Sequence, residues 1–298
     1  MTELFHYPVV LSIAGSDRCG GAGIQADVKT ISALGAYAAT AITAITVQDT
    51  RGVKSIHPVP ADVVASQVRA VMDDLHPDAV KIGMLGNASI VRAIAGELRH
   101  RQITTVICDP VMASSAGEAM MDEEALEAMK HELFPLCTLI TPNLREAEVL
   151  AGRTFTNVEE MKNGIRHLCQ WGNHGVLLKG GHLEGDDMVD MLLVPPASDP
   201  LMFTSTRIQS RNTHGTGCTL SSAIAALCAE GVELPDAVRQ AKEYVRQAIC
   251  QGSDIYIGKG TGALNHFFSP LPLKKFSPTK EKKHAGIQDK HEEASGQG

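Results

Sequence analysis

Aromatic side chains are scarce in this chain, 4% of 298 residues with a single tryptophan. That removes the stacking platforms on which single-stranded nucleic acids are held. Positive charge is also short: 27 Lys and Arg stand against 34 Asp and Glu, for a net charge of −7. A chain of that balance carries no electrostatic footprint for nucleic acid, and no such partner is expected. No apolar run is long enough to span a bilayer; residues 36–47 come nearest and are interrupted by threonines. No membrane partner is expected. The start of the chain has no basic segment followed by an apolar core, so a signal peptide is not expected either. The seven cysteines contain no CxxC pair, and their number is odd. This argues against a structural zinc site or a disulfide framework and points to a reducing, cytoplasmic setting. A Gx4GK[ST] motif is missing as well, so this is not a P-loop enzyme.

What is present is an ordinary globular composition, 44% hydrophobic and 20% charged. Strand-like and helix-like segments alternate. Short β-branched runs predict strands at 9–13, 41–47, 79–83, 104–108, 139–140 and 175–178, and a strand pair at 188–194 and 202–208. Apolar residues at helical spacing predict helices at 24–34, 61–75, 89–98, 123–133, 144–150, 158–171, 219–230 and 234–251. Such alternation predicts an α/β fold: a three-layer α/β/α sandwich with a mostly parallel central sheet. Right-handed crossovers then line up the loops after the strands, at 16–23, 48–49, 84, 109–112, 141–143 and 179–182, along one edge. One domain is expected over 5–270. From Lys274 onward six lysines and few apolar residues predict a polar, disordered tail over 271–298.

Two glycine-rich loops stand out. In the first, Gly21-x-Gly23-x-x-Ala26 matches the dinucleotide fingerprint, with Asp49 after the next strand in the place of a ribose-binding acid. A nicotinamide-dependent oxidoreductase is therefore one reading, although the first strand ends too early for the tight turn that fingerprint needs. The second loop, Asn212-Thr213-His214-Gly215-Thr216-Gly217-Cys218, runs straight into an apolar helix. Small residues at a helix start leave N–H groups facing outward, and with the helix dipole Gly215, Thr216 and Gly217 make an anion hole. A cysteine there should have a lowered pKa. Asp109, Asn143 and Glu146 follow strand ends and would share one cleft, a donor set that suits Mg²⁺. Lys179 also follows a strand and offers an ammonium to a nucleotide phosphate.

These residues, taken with Ile13-Ala14-Gly15-Ser16-Asp17, Gly20-Gly21-Ala22-Gly23-Ile24-Gln25-Ala26-Asp27, Lys81-Ile82-Gly83-Met84-Leu85, Asp109-Pro110-Val111-Met112, Thr141-Pro142-Asn143-Leu144 and Lys179-Gly180-Gly181-His182, resemble the hydroxymethylpyrimidine/phosphomethylpyrimidine kinases of thiamine synthesis, within the ribokinase-like superfamily. The resemblance covers about residues 8–268. It implies a nine-stranded sheet, a homodimer, ATP and Mg²⁺, and two phosphorylations that take hydroxymethylpyrimidine to its monophosphate and then its diphosphate. It implies that Gln48 hydrogen-bonds the aminopyrimidine and that Ala22, Asp27 and Met84 line the same pocket. Cys218 would be the base for the substrate hydroxyl, with His214 as its helper, and Lys242 would reach the ATP phosphates. Arg18-Cys19 in the first loop, Arg145, the segment 113–118 and Ala263 depart from the family pattern. A pyridoxal or pyridoxine kinase of the same cysteine-bearing subgroup stays open, since both substrates are flat heteroaromatics with a hydroxymethyl arm. A catalytically dead ligand sensor is the alternative outside enzymes, and intact Cys218 and glycines fit it poorly.

Overall fold

The computed structural model describes residues 4–101, 103–113, 120–171, 175–180 and 187–277. Nine strands form one sheet: β1 Val9–Ser16, β2 Tyr37–Asp49, β3 Gly52–Pro58, β4 Ala79–Ile82, β5 Val106–Cys108, β6 Leu139–Ile140, β7 Gly175–Leu178, β8 Asp187–Leu193 and β9 Leu201–Thr206. Their order is β3-β2-β1-β4-β5-β6-β7-β8-β9. From β2 to β7 every neighbouring pair is parallel, whereas the pairs β2–β3 on one edge and β7–β8 and β8–β9 on the other are antiparallel. The mostly parallel nine-stranded sheet expected from the sequence is therefore present.

Period-two alternation decides which face each strand residue serves. Leu11, Ile13, Val80, Ile82, Val106, Cys108, Ile140, Val176 and Leu178 enter one core. It is closed by the helices α2 Ala61–Leu75, α3 Ala88–Arg99, α4 Glu123–Ala128, α5 Leu144–Ala151 and α6 Val158–Leu168. Val10, Ala79, Ile107, Leu139 and Leu177 point the other way, under α1 Gly23–Ala33, α7 Thr216–Ala229 and α8 Leu234–Cys250. The same alternation sends Ser12 and Lys81, two polar residues in apolar strands, to the α1/α7 side.

Three local expectations change. β3 was not expected: Lys54, Ser55 and His57 interrupt its apolar pattern, and it is an edge strand pairing only with β2. The helix expected over 123–133 is α only to Ala128 and continues as a π turn, Met129–Leu133. The helix expected over 219–230 begins earlier than the apolar pattern indicates, because α7 takes Gly215 as its N-cap and includes Thr216, Gly217 and Cys218.

The polar tail also starts later than residue 271. Leu271 N–H donates to Ala33 C=O at 2.8 Å and Lys274 N–H to Gly35 C=O at 2.9 Å. His6 and Phe276 exchange backbone hydrogen bonds at 3.1 and 2.9 Å, and their rings stack. Lys274 pairs with Glu230, whose carboxylate is buried. Lysine content misled here, because one of those lysines neutralises a buried acid. Residues 278–298 lie outside the described ones.

Candidate active site

The first glycine loop is organised by one carboxylate. Asp17 Oδ1 accepts from Cys19 N–H at 2.9 Å, and Oδ2 from Gly21 N–H at 3.1 Å and Ala22 N–H at 2.8 Å. His214 Nε2, from the second loop, lies 2.9 Å from the same Oδ2. Burial pushes the Asp17 carboxyl up, but the His214 contact and the Cys19 and Ala22 N–H groups outweigh it and hold the pKa below its ordinary value. This loop therefore cannot serve a dinucleotide: N–H groups that would face a pyrophosphate already hold Asp17. Asp49 is no ribose acid either, since it pairs with Arg51 and Lys54 at the tip of the β2–β3 hairpin.

The second loop leans on the first. Gly215 has φ +85°, and a Cβ on it would lie 1.8 Å from the Gly21 carbonyl oxygen, so the two loops pack backbone against backbone. Gly217 lies in the first turn of α7, where N–H groups have no intrahelical acceptor. A Cβ there would sit 3.2 Å from Asp109 Oδ2 and 3.3 Å from Lys179 Nζ. The first turn of α7, where the anion hole is expected, thus faces Asp109 and Lys179.

Cys218 follows directly. Gly23 N–H donates to its sulfur, bringing in the start of α1 as well. The expected lowered pKa is not found. Burial pushes the thiol up to about 11; the Lys81 charge draws it down, and the Asp27 and Asp109 carboxylates add to the rise. Desolvation outweighs the helix terminus here.

Beneath the thiol lies an ion pair with both side chains fully buried. Lys81 Nζ is 2.9 Å from each oxygen of Asp27, which also accepts from Ser12 Oγ at 2.6 Å and Ser222 Oγ at 2.7 Å. Burial opposes the Lys81 charge, but Asp27, with Cys218 and Asp109 behind it, raises its pKa above the ordinary value. Asp27 therefore does not line the pocket as expected. Its carboxylate is saturated one layer down, where it joins β1, β4, α1 and α7.

On the other side, Lys179 Nζ lies 2.8 Å from Asp109 Oδ1, which Thr141 Oγ1 also reaches at 3.1 Å. Asn143 and Glu146 form a reciprocal cap on α5: Asn143 Oδ1 accepts from Glu146 N–H, and the Glu146 carboxylate from Asn143 N–H. The Asn143 oxygen gives one lone pair to the helix and keeps the other. Burial lifts Glu146 to a pKa of about 7, against the pull of Lys179 and with the push of Asp109. Among the described residues no three His, Cys, Asp or Glu side chains cluster as a ready metal cage. Lys242 is held by Asp190, whose other oxygen accepts from Gly180 N–H at 2.8 Å. It braces the end of β7 rather than standing free for phosphates. Gly181, His182 and the segment 114–119 lie outside the described residues.

Gln48 reaches the same place from the end of β2, where a register shift turns the strand. Its amide lies between His214 Nε2 and Thr46 Oγ1, at 3.3 Å from each. Met84 is buried behind Gly15, and Ala22 caps α1 beside Asp17. Asp17, Lys81, Ser222 and Asp190 were missed as functional residues. Lys81 had a signal, a lone charge inside an apolar strand; Asp190, Ser222 and Asp17 meet Gly180, Asp27 and His214 across 10, 195 and 197 residues of sequence.

Glycines at a helix start, a thiol beside them and an Asp–Lys pair at the ends of parallel strands mark a ribokinase-like small-molecule kinase. The family model described as Phosphomethylpyrimidine kinase matches residues 17–265, and the chain belongs to that family. It is 47% identical over 261 residues to the hydroxymethylpyrimidine/phosphomethylpyrimidine kinase of Rhizobium meliloti, covering 87% of this chain and 97% of that one. It is 46% identical over 260 residues to the thiamine biosynthesis bifunctional protein ThiED of Geobacter sulfurreducens, with 87% of this chain covered. There the chain spans about half of the relative's length, 52%. The pyridoxal kinase from Staphylococcus aureus in complex with AMP-PCP and pyridoxal has a TM-score of 0.80 and 31% identity, covering 91% of this chain and 99% of that one.

Proposed function

We propose that this chain uses ATP to phosphorylate 4-amino-5-hydroxymethyl-2-methylpyrimidine, and then the monophosphate to the diphosphate, in thiamine synthesis. The observation that carries the reading is the convergence of Cys218, the Gly215–Gly217 turn and Gln48 on the seam between the two glycine loops. Gln48 has the donor and acceptor that an aminopyrimidine edge needs. The hydroxymethyl arm would then lie toward Cys218, with the transferring phosphoryl group at the start of α7. In-line transfer requires the acceptor positioned, its proton removed and negative charge stabilised. Cys218 takes the hydroxyl proton in its thiolate form, which the Lys81 charge favours against burial; the first-turn N–H groups receive the phosphoryl oxygens, and Lys179 supplies a fixed positive charge.

Asp109 and Glu146 fit a Mg²⁺ ion that keeps most of its waters, because the two carboxylates are close enough for Asp109 to push Glu146 up while a single ammonium, Lys179, serves both. Such an ion supplies charge neutralisation for the phosphates. A homodimer accords with the exposed apolar Ile45 and Val47 of β2, and light scattering on the purified chain tests it.

Pyridoxal phosphorylation is the second reading, supported by the likeness to the Staphylococcus aureus kinase. Rates with hydroxymethylpyrimidine, its monophosphate and pyridoxal, each with Mg-ATP, decide between them. Higher kcat/KM on pyridoxal than on both pyrimidines would overturn the proposal. Cys218→Ala should lower kcat by about 10²–10⁴, the range for a lost general base, and Cys218→Asp should recover part of it. Unchanged kcat in Cys218→Ala would remove the base assignment.

A further inference from the structure

Gln48 stands near the tip of the β2–β3 hairpin, past the point where the sheet controls the chain. The register shift falls between Val47 and Gln48, and beyond it the ladder has two pairs, Gln48–Val53 and Asp49–Gly52. A two-stranded ribbon is marginal by itself, and a bulge bends it. From the first glycine loop the Cys19 thiol, a weak donor, reaches the Gln48 carbonyl at 3.6 Å. The firmer hold comes from the loop 252–262, which follows α8. Thr50 Oγ1 accepts from Lys259 N–H at 3.1 Å and from Gly260 N–H at 2.9 Å, and Thr50 C=O accepts from Thr261 N–H at 2.9 Å. A Cβ on Gly260 would fall on the Thr50 carbonyl oxygen, so the two backbones touch there. The other side of the same loop holds the second glycine loop. Asn212 Nδ2 donates to Gly252 C=O and Ile255 C=O, each at 2.6 Å, and His214 N–H donates to Gly262 C=O at 3.0 Å. Loop 252–262 is therefore a spacer between the hairpin that carries Gln48 and the loop that leads into Cys218.

We infer that Thr50 is a positioning residue for the pyrimidine: by docking the hairpin tip on loop 252–262, it sets the span between Gln48 and Cys218. A ligand held by its ring at Gln48 and presenting its hydroxymethyl oxygen to Cys218 fits one span, and a misplacement of about 1 Å at reacting atoms is costly. Thr50 itself touches no ligand. Its hydroxyl oxygen has two lone pairs, and both are given to N–H groups of the loop. The loop keeps its three bonds to Asn212 and His214 when Thr50 is changed, so the tip moves and the loop stays. Gly217 and Lys179 stand on α7 and at the end of β7, away from the hairpin. Loss of the Thr50 contact should therefore weaken the pyrimidine and spare the nucleotide.

The inference rests on the reading that Gln48 contacts the pyrimidine, and the test keeps the two apart. KM for hydroxymethylpyrimidine and KM for Mg-ATP are measured in the wild type, Thr50→Val, Thr50→Ser, Gly260→Ala and Gln48→Leu. Thr50→Val keeps the shape and loses the acceptor; it should raise the pyrimidine KM about tenfold, the scale of one or two lost hydrogen bonds, with the ATP KM within about twofold of wild type. Thr50→Ser keeps the acceptor and should stay near wild type. Gly260→Ala pushes the tip away from the other side of the contact and should match Thr50→Val. An unchanged pyrimidine KM in both Thr50→Val and Gly260→Ala, with Gln48→Leu still raising it, overturns the positioning role and leaves the Gln48 contact intact. An equal rise in both KM values overturns it as well, because that marks a general loss of structure, and so does a Thr50→Ser variant as impaired as Thr50→Val. If Gln48→Leu leaves the pyrimidine KM unaffected, the contact fails, and the positioning role with it.

Discussion

Lys81→Met leaves the Asp27 carboxylate buried with only the Ser12 and Ser222 hydroxyls as partners. Both charged side chains have no solvent exposure, so water cannot replace the lost ammonium. Breaking a buried pair from one side costs about 3–5 kcal/mol, because the remaining ion is uncompensated. Unfolding followed in urea, where stability falls linearly with denaturant, should show that loss. Lys81→Met with Asp27→Asn removes both charges and keeps a polar group for the two hydroxyls, so the double variant should recover more than half of it. The single variant should also push the Cys218 thiol further up, since Lys81 is the charge that draws it down. Alkylation of Cys218 should therefore be slower in folded Lys81→Met than in the wild type at the same pH. A loss below about 1 kcal/mol, the level of an exposed pair, would refute the reasoning, as would a double variant no more stable than the single one.

Two further outcomes follow from other parts of the fold. Ending the chain after Ser269 should cost about 2–6 kcal/mol, from four backbone hydrogen bonds at roughly 0.5–1.5 kcal/mol each. Ending it after Ser277 should leave the urea midpoint unchanged, and equal midpoints for both truncations would show that the 271–277 strap contributes nothing. His266 is buried and its pKa lies near 4, with burial the main cause and Lys29 adding to it. A depressed histidine contributes stability above its unfolded pKa of 6.5 that is lost as pH falls toward 4, so the loss over that window should be roughly 3 kcal/mol. His266→Gln should remove that part of the pH dependence; the same slope in both proteins would assign it elsewhere.

The mostly parallel sheet between helical layers was legible because it rests on strand–helix alternation; the strand order was not. Leu11, Ile13, Val80 and Ile82 on one face, with Val10 and Ala79 on the other, follow from spacing alone. The glycine-led start of α7 was legible for a local reason: glycines directly before an apolar helix mark its first turn. What was not legible depends on contacts across the chain. Asp27 sits amid the first motif and reads as a pocket residue until Lys81 and Ser222 arrive from other elements to bury it. Lys242 reads as a free helix lysine, and only the β8 hairpin supplies Asp190. The thiol of Cys218 was placed correctly, but its proton affinity was not, because the desolvation that raises it is a property of the packed site and has no local signature.

The backbone contact between Gly21 and Gly215 bears on how such a site can change over generations or in the laboratory. The loop that carries Asp17 and Ala22 and the loop that carries Gly215 and Gly217 share one surface, with backbone against backbone at Gly21 and Gly215. A new specificity transplanted by exchanging residues 15–23 alone would arrive with a carbonyl oxygen in the wrong place under Gly215. The heritable unit is the pair, so a chimera should work only when 15–23 and 212–218 are taken from the same parent.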